Sequence, residues 1–551
     1  MIILLFVTDQ LRNDAFDPAI TPNLHNLSST STSFLNSYVS APTCTPARAG
    51  LLTGKSPWNH GLLGSSFTVW CEEYPTTLPE VLHEIGYQTS VVGKNHFGVD
   101  TTMIGARFIS HGYREMNLYE GSLRITSEVP DDYYKWFYEV VPGVDPLATC
   151  NDRFEDGLQW QVVVFQLIAN DWESCPYGFE EYVHPTSWTT RSALDQINAL
   201  SLDDSNERLF LKVSYHRPHS PYDPPARLFD KHMSIAHQDK YGRIIQNDSW
   251  DKEWLNTTTM SRSAYNGDPG DAKARQSRAA YYANVEFVDE GVGQILDTLR
   301  EKNLLDDAFV AWITDHGDMN GDHNLWRKGF PYEGSTHVPM LMKLPGQKEG
   351  ALSNAIVELR DVAPTLYDLV GALQEVQERD PLLNGQSLMP ILRGQATKVR
   401  DVLDLEHSKV WNDDRIHWNA LVGYDDNDNL YKYIYFANGK EQLFCLSDDP
   451  NEHQDLSEDI EKVQYWRSIM AKQFQDEERG HEWVASDGTL VANRAPILMG
   501  PNFPCPPRDV NSGMSNAAEN NFGVTHDLLS TSAICIRNIL FKIFGIGKVA
   551  N

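Results

Sequence analysis

Apolar residues in this chain gather in short unbroken runs separated by amphipathic stretches, the pattern of strands covered on both faces by helices. Residues 2–7 form the first run and read as a buried central strand. Residues 89–92, 209–215 and 308–314 repeat it, and a shorter strand is expected at 34–38 after a capped helix opening at Thr21-Pro22. Residues 78–85 have helical spacing and stop at Gly86, a C-cap glycine. The spacing of Tyr282, Val285, Val288, Val292, Ile295 and Leu299 predicts a long core helix over 279–302. Strands alternating with helices predict an α/β fold with a large, mostly parallel central sheet flanked by helices. Past residue 395 the pattern changes: 431–436 and 442–446 read as strands around a turn at Asn438-Gly439, followed by a helix over about 457–476.

Polar residues stand where the apolar runs end, and open α/β sheets bind ligands at those ends. Asp9 and Gln10 follow the first run, although an aspartate there also reads as a turn or helix cap. Gly93-Lys94-Asn95-His96 follows the second, and the alternation of Lys94 and His96 aims both into one pocket. The 209–215 run delivers His216-Arg217-Pro218-His219-Ser220-Pro221, where prolines hold the backbone extended around His219. The 308–314 run ends in Asp315-His316-Gly317-Asp318, with Lys328 beyond. In a parallel sheet these distant ends become neighbours, so the pattern assembles acids, imidazoles and lysines in one place.

One further stretch gives that place a nucleophile. In Cys44-Thr45-Pro46-Ala47-Arg48, continued to Leu51-Leu52-Thr53-Gly54, the proline and its turn present position 44 at a helix N-terminus, which favours an anion. Arg48, one turn later, faces the same spot. This stretch resembles the signature of the formylglycine-dependent sulfatase family, within the alkaline-phosphatase-like superfamily. The motifs at Asp9, His219, Asp315 and Lys328 match the same family in order, and the likeness spans residues 1 to 480. It implies that a separate formylglycine-generating enzyme oxidises Cys44 to an aldehyde whose hydrate attacks a sulfate ester of a sugar or aryl alcohol. It further implies one divalent metal, Ca²⁺ first, held by Asp9, Gln10, Cys44, Asp315 and His316. The catalytic set it implies is Cys44, Arg48, Lys94, His96, His219 and Lys328, with Arg48 on the hydrate oxygen, Lys94 and Lys328 on the transferring group, His219 as proton donor and His96 as base. The implied organisation is a catalytic domain over 1–395 and a small antiparallel sheet with one helix over 396–484; beyond the resemblance, the Asn, Gly, Ser and Pro content of 485–551 predicts an irregular tail that covers the surface or is partly disordered, with an amphipathic helix at 534–546 docking onto the domain.

Two departures qualify this reading. Gln10 stands where many members carry a second aspartate, and His316 where they carry asparagine, which brings Mn²⁺ or Mg²⁺ into competition with Ca²⁺. The Asp-Gln pair also resembles phosphonate monoester hydrolases and phosphodiesterases that share the nucleophile. A binding protein that keeps the fold and leaves Cys44 unmodified is the third reading.

Composition sets the remaining limits. With 46 basic and 76 acidic residues the formal charge is −30, so nucleic acid and anionic membranes are poor partners. Binding an anion then demands a local cationic pocket, which Arg48, Lys94, His96, His219 and Lys328 would supply. Seven cysteines without a CxxC pair leave six besides Cys44, which permits disulfides without requiring them. The N-terminal run lacks a basic flank and a small-residue cleavage site, and no apolar stretch reaches ~18 residues, so a soluble protein without a membrane span is expected. Residues 100–190, rich in Trp, Tyr and Asp, read as an insertion whose aromatics around 131–138 serve either packing or substrate access.

Overall fold

The computed structural model describes residues 1–64, 74–96, 99–100, 107–121, 131–144, 146, 174–200, 208–235, 270–408, 417–494 and 497–504, all within the compact unit Met1–Pro504. An eight-stranded sheet runs Ala351–Glu358, Thr32–Tyr38, Met340–Lys343, Phe309–Thr314, Ile2–Asp9, Leu209–Pro218, Gln88–Gly93, Glu115–Leu118. Every neighbouring pair is parallel except those of Met340–Lys343, which runs antiparallel to both of its neighbours. The four apolar runs became strands, and the first is central as expected, hydrogen-bonded to Leu209–Pro218 on one side and Phe309–Thr314 on the other.

The unbroken hydrophobicity of these strands has a direct cause. Side chains alternate across a sheet, so Ile3, Leu5 and Val7 join the core on one face while Ile2, Leu4 and Phe6 join the core on the other. The helix Asp271–Glu301 covers the second face with Val285, Val288, Val292, Ile295 and Leu299. Helices Cys44–Thr53, Leu78–Glu84 and Val362–Leu369 cover the first. Full burial of each large aliphatic contributes about 1.5–3 kcal/mol, so this sandwich fixes the strand ends rigidly.

The second sheet is antiparallel, Val402–His407, Trp418–Tyr424, Leu430–Phe436, Glu441–Cys445. Helix Ile460–Asp476 lays Val463, Trp466, Met470 and Phe474 against it. Its first two strands escape a hydrophobicity reading because buried Glu406 and Asn419 and half-buried Asp404 interrupt them. Buried ion pairs explain those residues: Arg479 reaches Glu406 at 2.9 Å and Arg360 pairs with Asp404 at 2.5 Å. The long helix starts at Asp271, ahead of its apolar stripe, where Arg278 pairs with Asp322 at 2.9 Å.

Of the aromatics around 131–138, Tyr133, Tyr134 and Phe137 pack inward, while Tyr138 is exposed and Trp136 lines a cavity with Trp188. Asp131 caps helix Asp132–Val140 by accepting from Tyr134 N at 2.9 Å, and Tyr133, Tyr134 and Phe137 sit in an interior cluster with Tyr119, Tyr177 and Trp188. Among the described residues no helix is long and apolar enough to cross a membrane. Cys175 is disulfide-bonded, while Cys44 and Cys445 are free thiols. The helix expected at 534–546 lies outside the described residues.

Candidate active site

Cys44 is the first residue of helix Cys44–Thr53, whose every residue is buried, with Thr43 at the N-cap and Gly54 closing it at φ 70°. The thiol therefore sits where unpaired helical N–H groups favour negative charge. Around it meet the ends of three strands. Asp9 ends the central strand, Gln10 follows in a left-handed turn (φ 67°), Lys94 follows Gly93, and Asp315 and His316 follow Thr314. Parallel register alone brings these residues, up to 307 positions apart, to one rim.

The contacts are close and buried. Cys44 Sγ lies 3.2 Å from His316 Nε2, 3.2 Å from Lys328 Nζ, 3.4 Å from Lys94 Nζ and 3.9 Å from Asp9 Oδ1. Lys94 Nζ also donates to Asp9 Oδ2. Lys328 Nζ donates to Gln10 Oε1 at 2.7 Å, while the Gln10 amide nitrogen donates to Asp318 Oδ2 and its backbone N–H to Asp315 Oδ1 at 3.0 Å. Arg48 turns its guanidinium to Asp315, with Nε 2.9 Å from Oδ2, and donates to the Lys94 carbonyl at 3.0 Å and Ser214 Oγ at 3.1 Å. The sequence aims Arg48 at the position-44 oxygen; its hydrogen bonds go to Asp315, the Lys94 carbonyl and Ser214.

Asp9, Cys44, Asp315 and His316 each offer one donor atom, and the four atoms lie within 4.8 Å of one another. His316 Nδ1 is 3.0 Å from the Gly317 carbonyl, which orients the ring and turns Nε2 towards Cys44. That Nε2 faces Asp9 Oδ1 at 3.6 Å and Asp315 Oδ1 at 3.7 Å, beyond hydrogen-bond reach. Two buried carboxylates, a sulfur and an imidazole nitrogen thus converge on one point, with Lys94 and Arg48 pairing the outer carboxylate oxygens. The donor set fits a divalent metal. Gln10 Oε1 is held by Lys328, so its place in the ligand set expected from sequence depends on its second lone pair.

Charge in the pocket follows from burial against these neighbours. Burial and Asp315 push the Asp9 carboxyl up, but Lys94, Lys328 and Arg48 outweigh them and hold it below its ordinary range. Burial and Asp9 raise the Cys44 thiol, and Lys328, Lys94 and His316 overcome both and bring it well down. Burial lowers both lysines; Asp9 and Cys44 reverse this for Lys94, whereas Lys328 stays below its ordinary value. The position is thus an anion site inside an acidic protein, the local cationic pocket that the net charge demanded.

His96 lies two residues beyond Lys94, and His219 directly follows strand Leu209–Pro218. His96 (φ 64°) has its backbone N–H on Glu120 and its Nδ1 3.5 Å from Glu120 Oε2. His219 Nδ1 is 2.8 Å from the Ser220 carbonyl, and its ring stands 4.7 Å from that of His216. Burial, then Lys328 and Lys94, hold the His219 imidazole well below its ordinary pKa. Asp318 carried no assigned role in sequence, yet four donors converge on it: Gln10 Nε2 and Tyr222 OH on Oδ2, and the Asn320 and Arg327 N–H groups on Oδ1. Its place two residues after His316 was the available signal. Glu120, at the end of the polar strand Glu115–Leu118, gave none.

Comparison with known proteins converges on one family. The family model described as Sulfatase matches residues 2–372, and that described as N-sulphoglucosamine sulphohydrolase, C-terminal, matches 321–479. An arylsulfatase of Clostridium perfringens is 31% identical over 512 residues, covering 90% of this chain and 98% of the relative. A choline-sulfatase of Rhizobium meliloti is 30% identical over 83% of this chain and 82% of its own. Among solved structures, the phosphonate monoester hydrolase of Silicibacter pomeroyi superposes with a TM-score of 0.68 at 20% identity, covering 89% of this chain and 99% of that one. BT4656 in complex with its substrate D-glucosamine-2-N,6-O-disulfate superposes at 0.61 with 20% identity over 87% and 98% of the two chains. Membership carries with it a sulfuric ester hydrolase activity, a metal ion and a formylglycine. The chain belongs to the sulfatase family.

Proposed function

We propose that this protein hydrolyses the sulfate monoester of a carbohydrate or aryl alcohol, with residue 44 as formylglycine hydrate for nucleophile and Asp9, Gln10, Cys44, Asp315 and His316 around a divalent metal, Ca²⁺ ahead of Mn²⁺ or Mg²⁺. The observation that carries it is the cluster of Lys328, His316 and Lys94 nitrogens within 3.4 Å of Cys44 Sγ at a helix N-terminus. Sγ stands in for the hydrate oxygen. When bound, the metal polarises the sulfuryl oxygens and the formylglycine brings two hydroxyls, one to displace the alcohol and one to release sulfate.

The chain's own residues do the rest. Lys94 and Lys328 neutralise charge on the sulfuryl oxygens in a site without water competition. His219 gives the leaving alcohol its proton. Its Nδ1–H is bound to the Ser220 carbonyl, so the proton must leave from Nε2 and the ring must be imidazolium. Burial first, then Lys328 and Lys94, oppose that charge, and the negative charge of an arriving ester favours it. His96 takes the proton from the second hydroxyl. Arg48 holds Asp315 and the Lys94 carbonyl in place. Maturation requires a formylglycine-generating enzyme as partner.

Gln10 in place of a second aspartate favours one other reading, hydrolysis of a phosphonate monoester or phosphodiester. Rates on an aryl sulfate and an aryl phosphonate, measured side by side, decide: a higher kcat/KM on the phosphonate overturns the sulfatase assignment. Cys44→Ala with metal still bound must abolish hydrolysis; an intact mature protein that hydrolyses neither ester is the binding relative.

A further inference from the structure

The turn Gly93-Lys94-Asn95-His96 carries two residues assigned to the reaction, and two buried charged side chains hold it from either side. Glu120 accepts the backbone N–H of Asn95 on Oε1 at 2.9 Å and that of His96 on both oxygens at 3.0 Å, with His96 Nδ1 3.5 Å from Oε2. Lys212, on the neighbouring strand opposite Val91, donates from Nζ to Asn95 Oδ1 at 2.7 Å, and its ammonium lies 4.8 Å over the Tyr113 ring. Glu120, Lys212, Asn95 and His96 are each at most 8% exposed.

Burial works against both groups, and with Arg48 it holds the Lys212 amine well below its ordinary pKa. A carboxylate removed from water requires donors, and Glu120 finds them in consecutive N–H groups of a turn in which His96 takes the left-handed conformation at φ 64°. A β-carbon-bearing residue keeps that conformation only where its surroundings enforce it. Glu120 is itself fixed, because its own N–H donates to Asp131 Oδ2 at 2.7 Å and the N–H of Tyr119 to the Gly93 carbonyl at 3.1 Å. The carboxylate therefore holds the backbone of His96 in this conformation, and its Oε2 stands 3.5 Å from the imidazole Nδ1, where an acid beside a functional histidine stands.

We propose that Glu120 is a positioning residue that orients His96 for hydrolysis, with Lys212 anchoring the intervening Asn95. The proposal rests on the assignment of His96 to the reaction. The test uses the mature full-length enzyme and 4-nitrophenyl sulfate, with kcat and KM measured for the wild type, Glu120→Gln, His96→Gln and the double variant, and melting temperatures confirming the fold. Glu120→Gln should lower kcat about 10–100-fold while KM stays within about threefold. In the His96→Gln background the same substitution should change kcat by less than about twofold. Equal losses in both backgrounds, or an unchanged kcat in Glu120→Gln while His96→Gln is impaired, overturn the proposal and leave the His96 assignment standing. An unimpaired His96→Gln overturns the assignment and the proposal together. Should Glu120→Gln not fold, Lys212→Met takes its place in the same cycle: an additive loss or none at all overturns the clamp.

Discussion

Asp318→Asn is the substitution with the most traceable consequence. The carboxylate receives two backbone N–H groups on one oxygen, from Asn320 and Arg327 at 2.8 Å each, and Gln10 Nε2 and Tyr222 OH on the other. An asparagine keeps its oxygen on the two fixed backbone donors and turns its NH₂ towards Gln10 and Tyr222. The tyrosine hydroxyl rotates and accepts. Gln10 must flip its amide to accept, and that removes Oε1 from Lys328 Nζ, 2.7 Å away. One hydrogen bond to a charged group is lost and a second is exchanged, at about 1.5–3 kcal/mol for such a bond. Unfolding entropy of about 2.1 cal/mol/K per residue over roughly 500 residues makes 1 kcal/mol worth about 1 °C, so Tm should fall by about 2–3 °C. Activity should fall further, because Lys328 loses one of the two contacts that hold it beside residue 44. A 10–100-fold loss in kcat on an aryl sulfate is the scale for a displaced supporting residue. Differential scanning fluorimetry and initial rates on the same preparation read both. An Asp318→Asn protein with unchanged Tm and unchanged kcat refutes the reasoning.

Other consequences lie away from the nucleophile. Burial alone would lower the His337 pKa, but Glu333, 2.7 Å from Nδ1, outweighs it and holds it above 6.5. That pair stabilises fully below about pH 6.5 and its contribution fades as pH rises through the raised value, so the Tm advantage of wild type over His337→Gln should shrink between pH 6 and 9. Burial pushes the Asp289 carboxyl up from 3.8 to about 6, although it accepts from the N–H groups of Asn23 and Leu24 that open helix Pro22–Ser28. Its native state therefore holds the proton more tightly, stability from this group falls from about pH 4 to about pH 6, and Asp289→Asn should flatten that part of the Tm–pH curve. Chelation of the mature enzyme should abolish hydrolysis without changing the mass of residue 44, and Ca²⁺ should restore it; recovery with Mn²⁺ or Mg²⁺ alone would reassign the metal.

What could be read in the sequence, and what could not, divides along a physical line. Strands covered on both faces are apolar along most of their length, so 2–7, 89–92, 209–215 and 308–314 stood out, and the residues at their ends named Asp9, Lys94, His219, Asp315 and His316. The Cys44 stretch could be read because its helix is wholly buried and admits few residue types. The antiparallel strand Met340–Lys343 has no local mark of its direction, which is set by its partners. Lys212 sits inside a run that predicted a buried strand, and what its ammonium meets there, Asn95 and Tyr113, arrives from elsewhere in the chain. Arg48 was placed on the correct helix face, but its target, Asp315, follows from a strand 267 residues away.

The central claim is that residue 44 of the mature protein is an aldehyde whose hydrate attacks the ester. Mass spectrometry of the tryptic peptide from Asn13 to Arg48, which has no internal Lys or Arg, measures it directly on protein from its native source. The account predicts a species lighter than the cysteine form and reactive towards hydrazide, in proportion to sulfate-ester hydrolysis across preparations. A fully intact Cys44 thiol in protein that still hydrolyses the ester would contradict it.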